Sequence, residues 1–125
     1  AIGIEPRADR RAMAAQNGLA RGAPKRELID GTVPDALANL DAPDAVFIGG
    51  GLSRETFDAA FAALRPLGRL VANAVTLESE AELIALHKLH GGDLVKIQTH
   101  RAEPVGRLTG WRPSMPVTQW SLIKR

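Results

Sequence analysis

Residues 1–22 read AIGIEPRADRRAMAAQNGLARG, and the way this stretch is divided decides the fold. Ile2 to Glu5 is short and apolar, as a strand is, and Pro6 closes it. A helical pattern then runs from Arg7 to about Arg21, with Ala8, Ala12, Ala15 and Leu19 at helical spacing and Gly22 just past its end. A strand running directly into a helix is the repeating unit of an α/β sheet.

The same unit recurs along the chain. RELID (26–30) reads as a second strand, and GTVPDALANL (31–40) as a turn and a short helix opening near Pro34. DAVFIGGG (44–51) is a third strand ending in glycines. SRETFDAAFAALRPLG (53–68) follows as a helix with Phe57, Ala60, Phe61 and Leu64 on one face. GRLVANAVT (68–76) is a fourth strand. LESEAELIALHKLHGG (77–92) is a helix with Leu83, Leu86 and Leu89 turned inward, Ser79 and Glu82 at capping-box spacing and Gly91 at its stop. GDLVKIQT (92–99) is a fifth strand, HRAEPVGRLTGWRPSMP (100–116) a long irregular loop, and VTQWSLIK (117–124) a sixth strand. Strands alternating with helices predict a mostly parallel sheet covered on both sides, its last two strands antiparallel because no helix joins them.

At 125 residues the chain is read as one domain, 1–125, with a core that needs no crosslink. It contains no cysteine, which excludes disulfides and thiolate metal sites and leaves the cytoplasm as the expected compartment. AVFIGGGL is its longest apolar run, too short for a membrane span. The net charge is +2, but the end of the chain holds Arg101, Arg107, Arg112, Lys124 and Arg125 against Glu103 alone. That end either faces an anionic ligand or is a solvated surface. Aromatic residues are 4% of the chain and Tyr is absent, so nucleic acid is not the expected partner.

Open α/β sheets bind ligands beyond the carboxyl ends of their strands. Glu5 stands at such an end, where a carboxylate offers two acceptor oxygens to the two hydroxyls of a ribose. Gly49, Gly50 and Gly51 stand at another, either as a plain turn or as a backbone that a ligand approaches closely. His87 and His90 read as surface or capping residues at a helix end rather than as a metal pair. His100 opens the long loop near the expected pocket. Trp111 and Trp120 read as core or loop-anchoring aromatics.

The succession IGIEP, DGTVPDAL, FIGGG, LRPLGRLVANAVTLES and RAEPVGRLTGWRPSMPVTQW resembles the precorrin-6Y methyltransferase (decarboxylating) family, the CbiT proteins and the C-terminal halves of the CobL proteins. The resemblance covers nearly the whole chain, and VANAVTLES and PVG…MPVTQW are its most specific parts. It implies a Rossmann-like class I methyltransferase sheet whose N-terminal strand and Gly-rich loop are absent from this chain, so that the chain begins inside the fold. It implies S-adenosylmethionine as methyl donor, no metal, and cofactor contacts at Glu5, Pro6, Thr32, Val33 and Gly49. Thr32 departs from the Asp or Asn often found there, which leaves the adenine to backbone at Thr32 and Val33 or to the threonine hydroxyl.

The implied reaction belongs to cobalamin biosynthesis. A methyl group passes to a meso carbon (carbon 15) of a precorrin, with loss of carbon dioxide from the carbon-12 acetate. The substrate's carboxylates would meet Gly50, Gly51, His100, Arg101, Arg107 and Arg112. The resemblance further implies a homo-oligomer, a tetramer, and in fused members a second methyltransferase domain upstream. No catalytic residue stands out. A class I methyltransferase acting on RNA or protein, a nicotinamide-dependent dehydrogenase that also uses an acid at Glu5, and a non-catalytic Rossmann-like domain are the alternatives.

Overall fold

The computed structural model describes residues 2–5, 7–22, 27–29, 32 and 35–125, which divide into two compact units, Ala1–Asp41 and Ala42–Arg125. Pro6 and Val33, expected to touch cofactor, lie outside the described residues, as do the ends of the RELID strand and Pro34.

In the first unit, strand β1 (Ile2–Ile4), helix α1 (Ala8–Ala20) and strand β2 (Glu27–Ile29) form a strand–helix–strand unit. The two strands pair in parallel, from Ile2 opposite Glu27 to Ile4 opposite Ile29. A 3-10 turn at Asp35–Leu37 follows, begun by the Ala36 amide donating to the Thr32 carbonyl at 2.9 Å. No side chain caps α1; instead the guanidinium of Arg7, its N-cap, grips Asp9 through Nε and Nη2 at 3.1 and 2.8 Å. That grip holds the Asp9 carboxyl below its usual value.

The inward face of α1 differs from the one its spacing predicts. Gly18 is buried and Arg11 and Ala14 are half-buried, whereas Ala8, Ala12, Ala15 and Leu19 are exposed. Alanine occurs on every side of this helix, so apolar spacing does not single out a face. A glycine in the middle of a helix marks the side where a neighbour comes close.

The second unit is built on a four-stranded sheet. Strands β3 (Ala45–Ile48) and β4 (Arg69–Ala74) run parallel through helix α2 (Arg54–Ala63), and β4 leads through helix α3 (Leu77–His90) to β5 (Asp93–Ile97). The chain next makes a hairpin, β6 (His100–Val105) and β7 (Leu108–Pro113), and ends in β8 (Val117–Ile123). The spatial order is β3-β4-β8-β5, with β8 antiparallel to both neighbours. The expected antiparallel pairing of the last two sheet strands is therefore present, and β8 additionally wedges between β4 and β5.

Both helices of this unit lie on one face of its sheet. Each crossover, β3 to β4 and β4 to β5, moves the same way across the sheet, and right-handed crossovers in one direction place their helices on one side. Burial follows: Leu70, Ala72, Trp120 and Leu122 face the helices and are buried, while Val71, Asn73, Gln119 and Ser121 on the other face are half-buried. Phe57 and Ala60 of α2, Leu64 just past its end, and Leu83 and Leu86 of α3 complete the core, with the Phe57 ring 5.5 Å from that of Trp120. Leu89, expected inward, is exposed at the last turn of α3.

Capping explains where these helices begin and end. Ser53 Oγ accepts from the Thr56 amide at 3.1 Å and opens α2. Thr76, not Ser79, caps α3, its hydroxyl accepting from the Ser79 amide at 3.2 Å, and this leaves Glu82 free to pair with Arg54 of α2 at 3.1 Å. Gly91 stops α3 at φ +72° as expected. The C-terminal end of α2 is closed from far away: Lys124 Nζ donates to the carbonyls of Phe61 and Leu64, both at 2.7 Å, and sits 5.2 Å from the Phe61 ring centre.

Residues 100–116, expected as an irregular loop, are mostly the β6–β7 hairpin. Its two-residue turn is Gly106–Arg107, with Gly106 at φ +60°, matching the hairpin turn that takes glycine first. Pro104 and Pro113 argued against strands there, but a free-standing hairpin has open edges on which a missing N–H costs nothing. Trp111 is exposed on this hairpin, whereas Trp120 is fully buried. Among the described residues no helix is long and apolar enough to cross a membrane.

Candidate functional site

Glu5 follows β1 directly, so the carboxyl end of that strand presents it. Its Oε1 accepts from the Arg7 amide at 3.1 Å, and its carbonyl accepts from the Arg11 guanidinium at 2.7 Å. The residue is half-buried. These contacts hold the carboxylate at the start of α1, and among the described residues no donor reaches Oε2. Two oxygens with spare lone pairs fit a pair of vicinal hydroxyls. Thr32, also of the first unit, is exposed, and its carbonyl is already taken by Ala36, which leaves its amide and hydroxyl as groups for a ligand.

In the second unit β3, β4 and β5 all end on one edge of the sheet. Gly49, Gly50 and Gly51 leave β3 there, all exposed, and lead into the Ser53-capped start of α2. A methyl group at Gly50 or Gly51 would meet only open space, whereas one at Gly49 would press on the Phe47 ring at 3.0 Å. Gly51 adopts φ +67°, a turn that L side chains resist. The backbone amides of this turn are thus open to a ligand, beside a helix start that favours negative charge.

The hairpin leaves the same edge from β5, three strand spacings or roughly 14 Å along the sheet from β3. The register sets Arg101 opposite Arg112, on one face with Glu103 and Gly110. Arg112 Nε donates to Glu103 Oε2 at 2.7 Å, so one carboxylate offsets two facing cations. Arg107 stands at the turn, and neither it nor Arg101 forms an ion pair among the described residues. His100 opens β6 opposite Pro113 and is exposed. A shallow groove of about 160 Å³ on the hairpin is lined by Glu103, Val105, Trp111 and Arg112 among others.

Lys124, counted with the basic end in the sequence, is spent on α2 and does not face a ligand. A cavity of about 860 Å³, lined by Arg69, His90, Asp93 and Arg125 among others, lies where β4 and β5 begin, away from the edge that carries the glycines and the hairpin. His87 caps α3 as expected, its Nδ1 3.2 Å from the Gly91 carbonyl, and the His90 ring lies against Phe57 and Phe61. Among the described residues no group of three His, Asp or Glu is arranged for a metal ion.

One cluster escaped the sequence reading. Glu80, in the first turn of α3, accepts from the Thr118 hydroxyl at 2.5 Å and pairs with Lys96 Nζ at 3.0 Å. The Thr118 hydroxyl, and after it the Lys96 ammonium, hold the Glu80 carboxyl below its usual value. Thr118 is 3% exposed, a polar residue on the buried face of β8 beside Trp120 and Leu122. A threonine in register with Trp120 and Leu122, at every second position of the strand, was the available signal, since a buried hydroxyl must find a partner. Nearby, Gln119 donates to the Asn73 side chain at 3.0 Å across β4 and β8.

Comparison with known proteins places this arrangement. A precorrin-6Y C(5,15)-methyltransferase [decarboxylating] of a Sinorhizobium species is 49% identical over 125 residues, which is 99% of this chain and 30% of that protein. The crystal structure of the C-terminal domain of precorrin-6Y C5,15-methyltransferase from Rhodobacter capsulatus superposes with a TM-score of 0.85 at 49% identity, over 98% of this chain and 67% of that one. A precorrin 8W decarboxylase from Methanobacterium thermoautotrophicum, 22% identical, shares the fold with a TM-score of 0.83 over 97% of this chain and 68% of that one. The chain thus spans less than a third of the length of the curated relative, and its fold is that of class I methyltransferases. The family described as precorrin methyltransferase domain matches residues 1–124, and the chain belongs to it.

Proposed function

We propose that this chain is the methyltransferase domain of an enzyme of cobalamin biosynthesis that methylates a meso carbon of a precorrin, carbon 15, and decarboxylates the carbon-12 acetate, releasing its carboxyl group as carbon dioxide and leaving a methyl group on the ring. The carrying observation is the family match, which runs from residue 1 to residue 124 and so takes in both compact units. On this reading both units serve one domain. Bound S-adenosylmethionine supplies an electrophilic methyl group on a sulfonium. Glu5 accepts the ribose hydroxyls, with Oε1 already oriented by the Arg7 amide. Thr32, together with Pro6, Val33 and Gly49, belongs to the same cofactor-binding set. A homo-tetrameric, cytoplasmic enzyme joined to a second methyltransferase domain completes the reading.

The macrocycle carbon is electron-rich, so the chain's task is placement rather than proton transfer. Orientation of two bound reactants supplies up to ~7–11 kcal/mol in well-aligned systems. A precorrin carries several carboxylates, and the second unit offers them the amides at Gly50 and Gly51, His100, and the hairpin arginines. Arg101 and Arg107 are the stronger anion ligands, because Glu103 already engages Arg112.

Two measurements test this. Glu5→Ala is expected to weaken S-adenosylmethionine binding by about 1.5–3 kcal/mol, the range for hydrogen bonds to a charged group. Calorimetry showing unchanged affinity in a folded variant removes Glu5 from the site. Arg101→Gln and Arg107→Gln are each expected to raise KM for the tetrapyrrole about 3–10-fold, with cofactor affinity constant, since exposed ion pairs are weakened by solvent. Wild-type KM in both variants would make the hairpin a structural element.

A further inference from the structure

We propose that Glu80 is a positioning residue: its carboxylate ties both roots of the β6–β7 hairpin to the first turn of α3 and thereby aims Arg101, Arg107 and Arg112. The proposal rests on the reading that the hairpin holds substrate.

The chain enters the hairpin from β5 and leaves it into β8. Lys96 stands near the end of β5 and Thr118 near the start of β8, and the two are cross-strand partners in the ladder. Neighbours of this kind share a face of the sheet, here the face on which α3 packs. A single oxygen, Glu80 Oε2, receives both the Thr118 hydroxyl and the Lys96 ammonium. One helical side chain therefore holds the strand going in and the strand coming out.

A second set of contacts closes the root without fixing its direction. Ser114 donates to the Thr99 carbonyl from its amide at 2.9 Å and from its hydroxyl at 3.1 Å, and the two hydroxyls lie 2.9 Å apart. These bonds join the incoming strand to the outgoing one, and neither partner belongs to the helical layer. The Glu80 contacts reach from that layer to the root. The helix that bears Glu80 starts at the carboxyl end of β4, the edge on which the glycine turn also lies. Glu80 thus sets the hairpin against the edge that carries the glycine turn, the other proposed substrate contact of this unit.

The test compares Glu80→Ala, Glu80→Gln and Thr118→Val in the intact protein. In Glu80→Ala, amide hydrogen exchange across residues 100–113 is expected to quicken about tenfold, the equivalent of one hydrogen bond to a charged group, with β3 and β4 unchanged. KM for the tetrapyrrole is expected to rise about 3–10-fold while S-adenosylmethionine affinity stays constant. Glu80→Gln keeps an acceptor for Thr118 and is expected to recover most of both effects. Thr118→Val, close in shape, is expected to loosen the hairpin in the same way, and it decides the matter should Glu80→Ala fail to fold.

Hairpin exchange at the wild-type rate would overturn the proposal, and so would a uniform rise over the whole sheet or a parallel loss of cofactor affinity. A loosened hairpin with unchanged KM also defeats it, provided that Arg101→Gln or Arg107→Gln raises KM. If those arginine variants are silent as well, it is the assignment of substrate to the hairpin that has failed.

Discussion

Trp120→Ala is expected to cost the second unit about 3–5 kcal/mol, the range for removing a large aromatic side chain from a packed interior. Trp120 is fully buried on the central strand β8, on the face that α2 and α3 cover. Its ring lies 5.5 Å from that of Phe57, which in turn stacks on Phe61 at 5.2 Å, and His90 flanks the group. Its Nε1 donates to the Gly91 carbonyl at 2.7 Å, so the indole also secures the end of α3. Truncation empties a cavity between sheet and helices and removes that donor. Trp120→Phe separates the two losses, because it keeps an aromatic ring and drops only the hydrogen bond, worth about 1 kcal/mol. Urea unfolding of both variants checks the pair. A Trp120→Ala midpoint within the error of wild type would mean that the core closes over the gap and that Trp120 does not organise it.

Much of this fold was legible because local signals agreed with one another. SRET places a capping serine just before an apolar helical stripe, and the buried face of α2 is the one its spacing predicts. GRLVANAVT and VTQWSLIK, read as strands from their apolar and β-branched residues, contain β4 and β8. Where the signals were ambiguous, packing decided. Alanines surround α1, so Gly18 rather than Leu19 turned out to be inside. Thr76 and Ser79 are both plausible caps three residues apart, and only the backbone path shows that the helix begins at the first. Long-range partners left no local trace. Lys124 caps a helix 60 residues away, and Glu80 meets Thr118 across 38 positions.

The candidate site divides along the same line. Glu5 and the glycine turn could be singled out because strand ends in α/β sheets are where ligands bind, and that both stand at strand ends follows from local pattern. The state of the arginines could not be read in advance. Whether Arg112 faces Glu103 or Arg101 faces solvent depends on hairpin register, and the prolines concealed that a hairpin was present. Once Gly106–Arg107 is known to be the turn, the register follows, and with it the division of the three arginines into one that is engaged and two that are open.

Gly92→Ala is expected to destabilise the second unit by about 2–5 kcal/mol, adding a left-handed backbone penalty of ~1–2 kcal/mol to an overpacking cost of ~1–3 kcal/mol. Gly92 adopts φ +88° directly before β5, whose first residue, Asp93, pairs with Ser121 of β8. A methyl group there would collide with the Ser121 carbonyl and lie 2.9 Å from Trp120 Nε1. Neither neighbour can yield cheaply, since one is backbone in a central strand and the other is a buried indole already bonded to Gly91. Gly91→Ala supplies the internal standard. Gly91 also has positive φ, +72°, but a methyl group on it would meet nothing within 4 Å, so only the backbone penalty of about 1–2 kcal/mol applies. The excess of Gly92→Ala over Gly91→Ala in urea unfolding therefore measures the collision alone. It should be accompanied by faster hydrogen exchange at the first rung between β5 and β8, because that is where the added carbon drives the strands apart. Equal losses in the two variants, with that rung still protected, would show that the close approach of Gly92 to β8 is not what holds β5 in place.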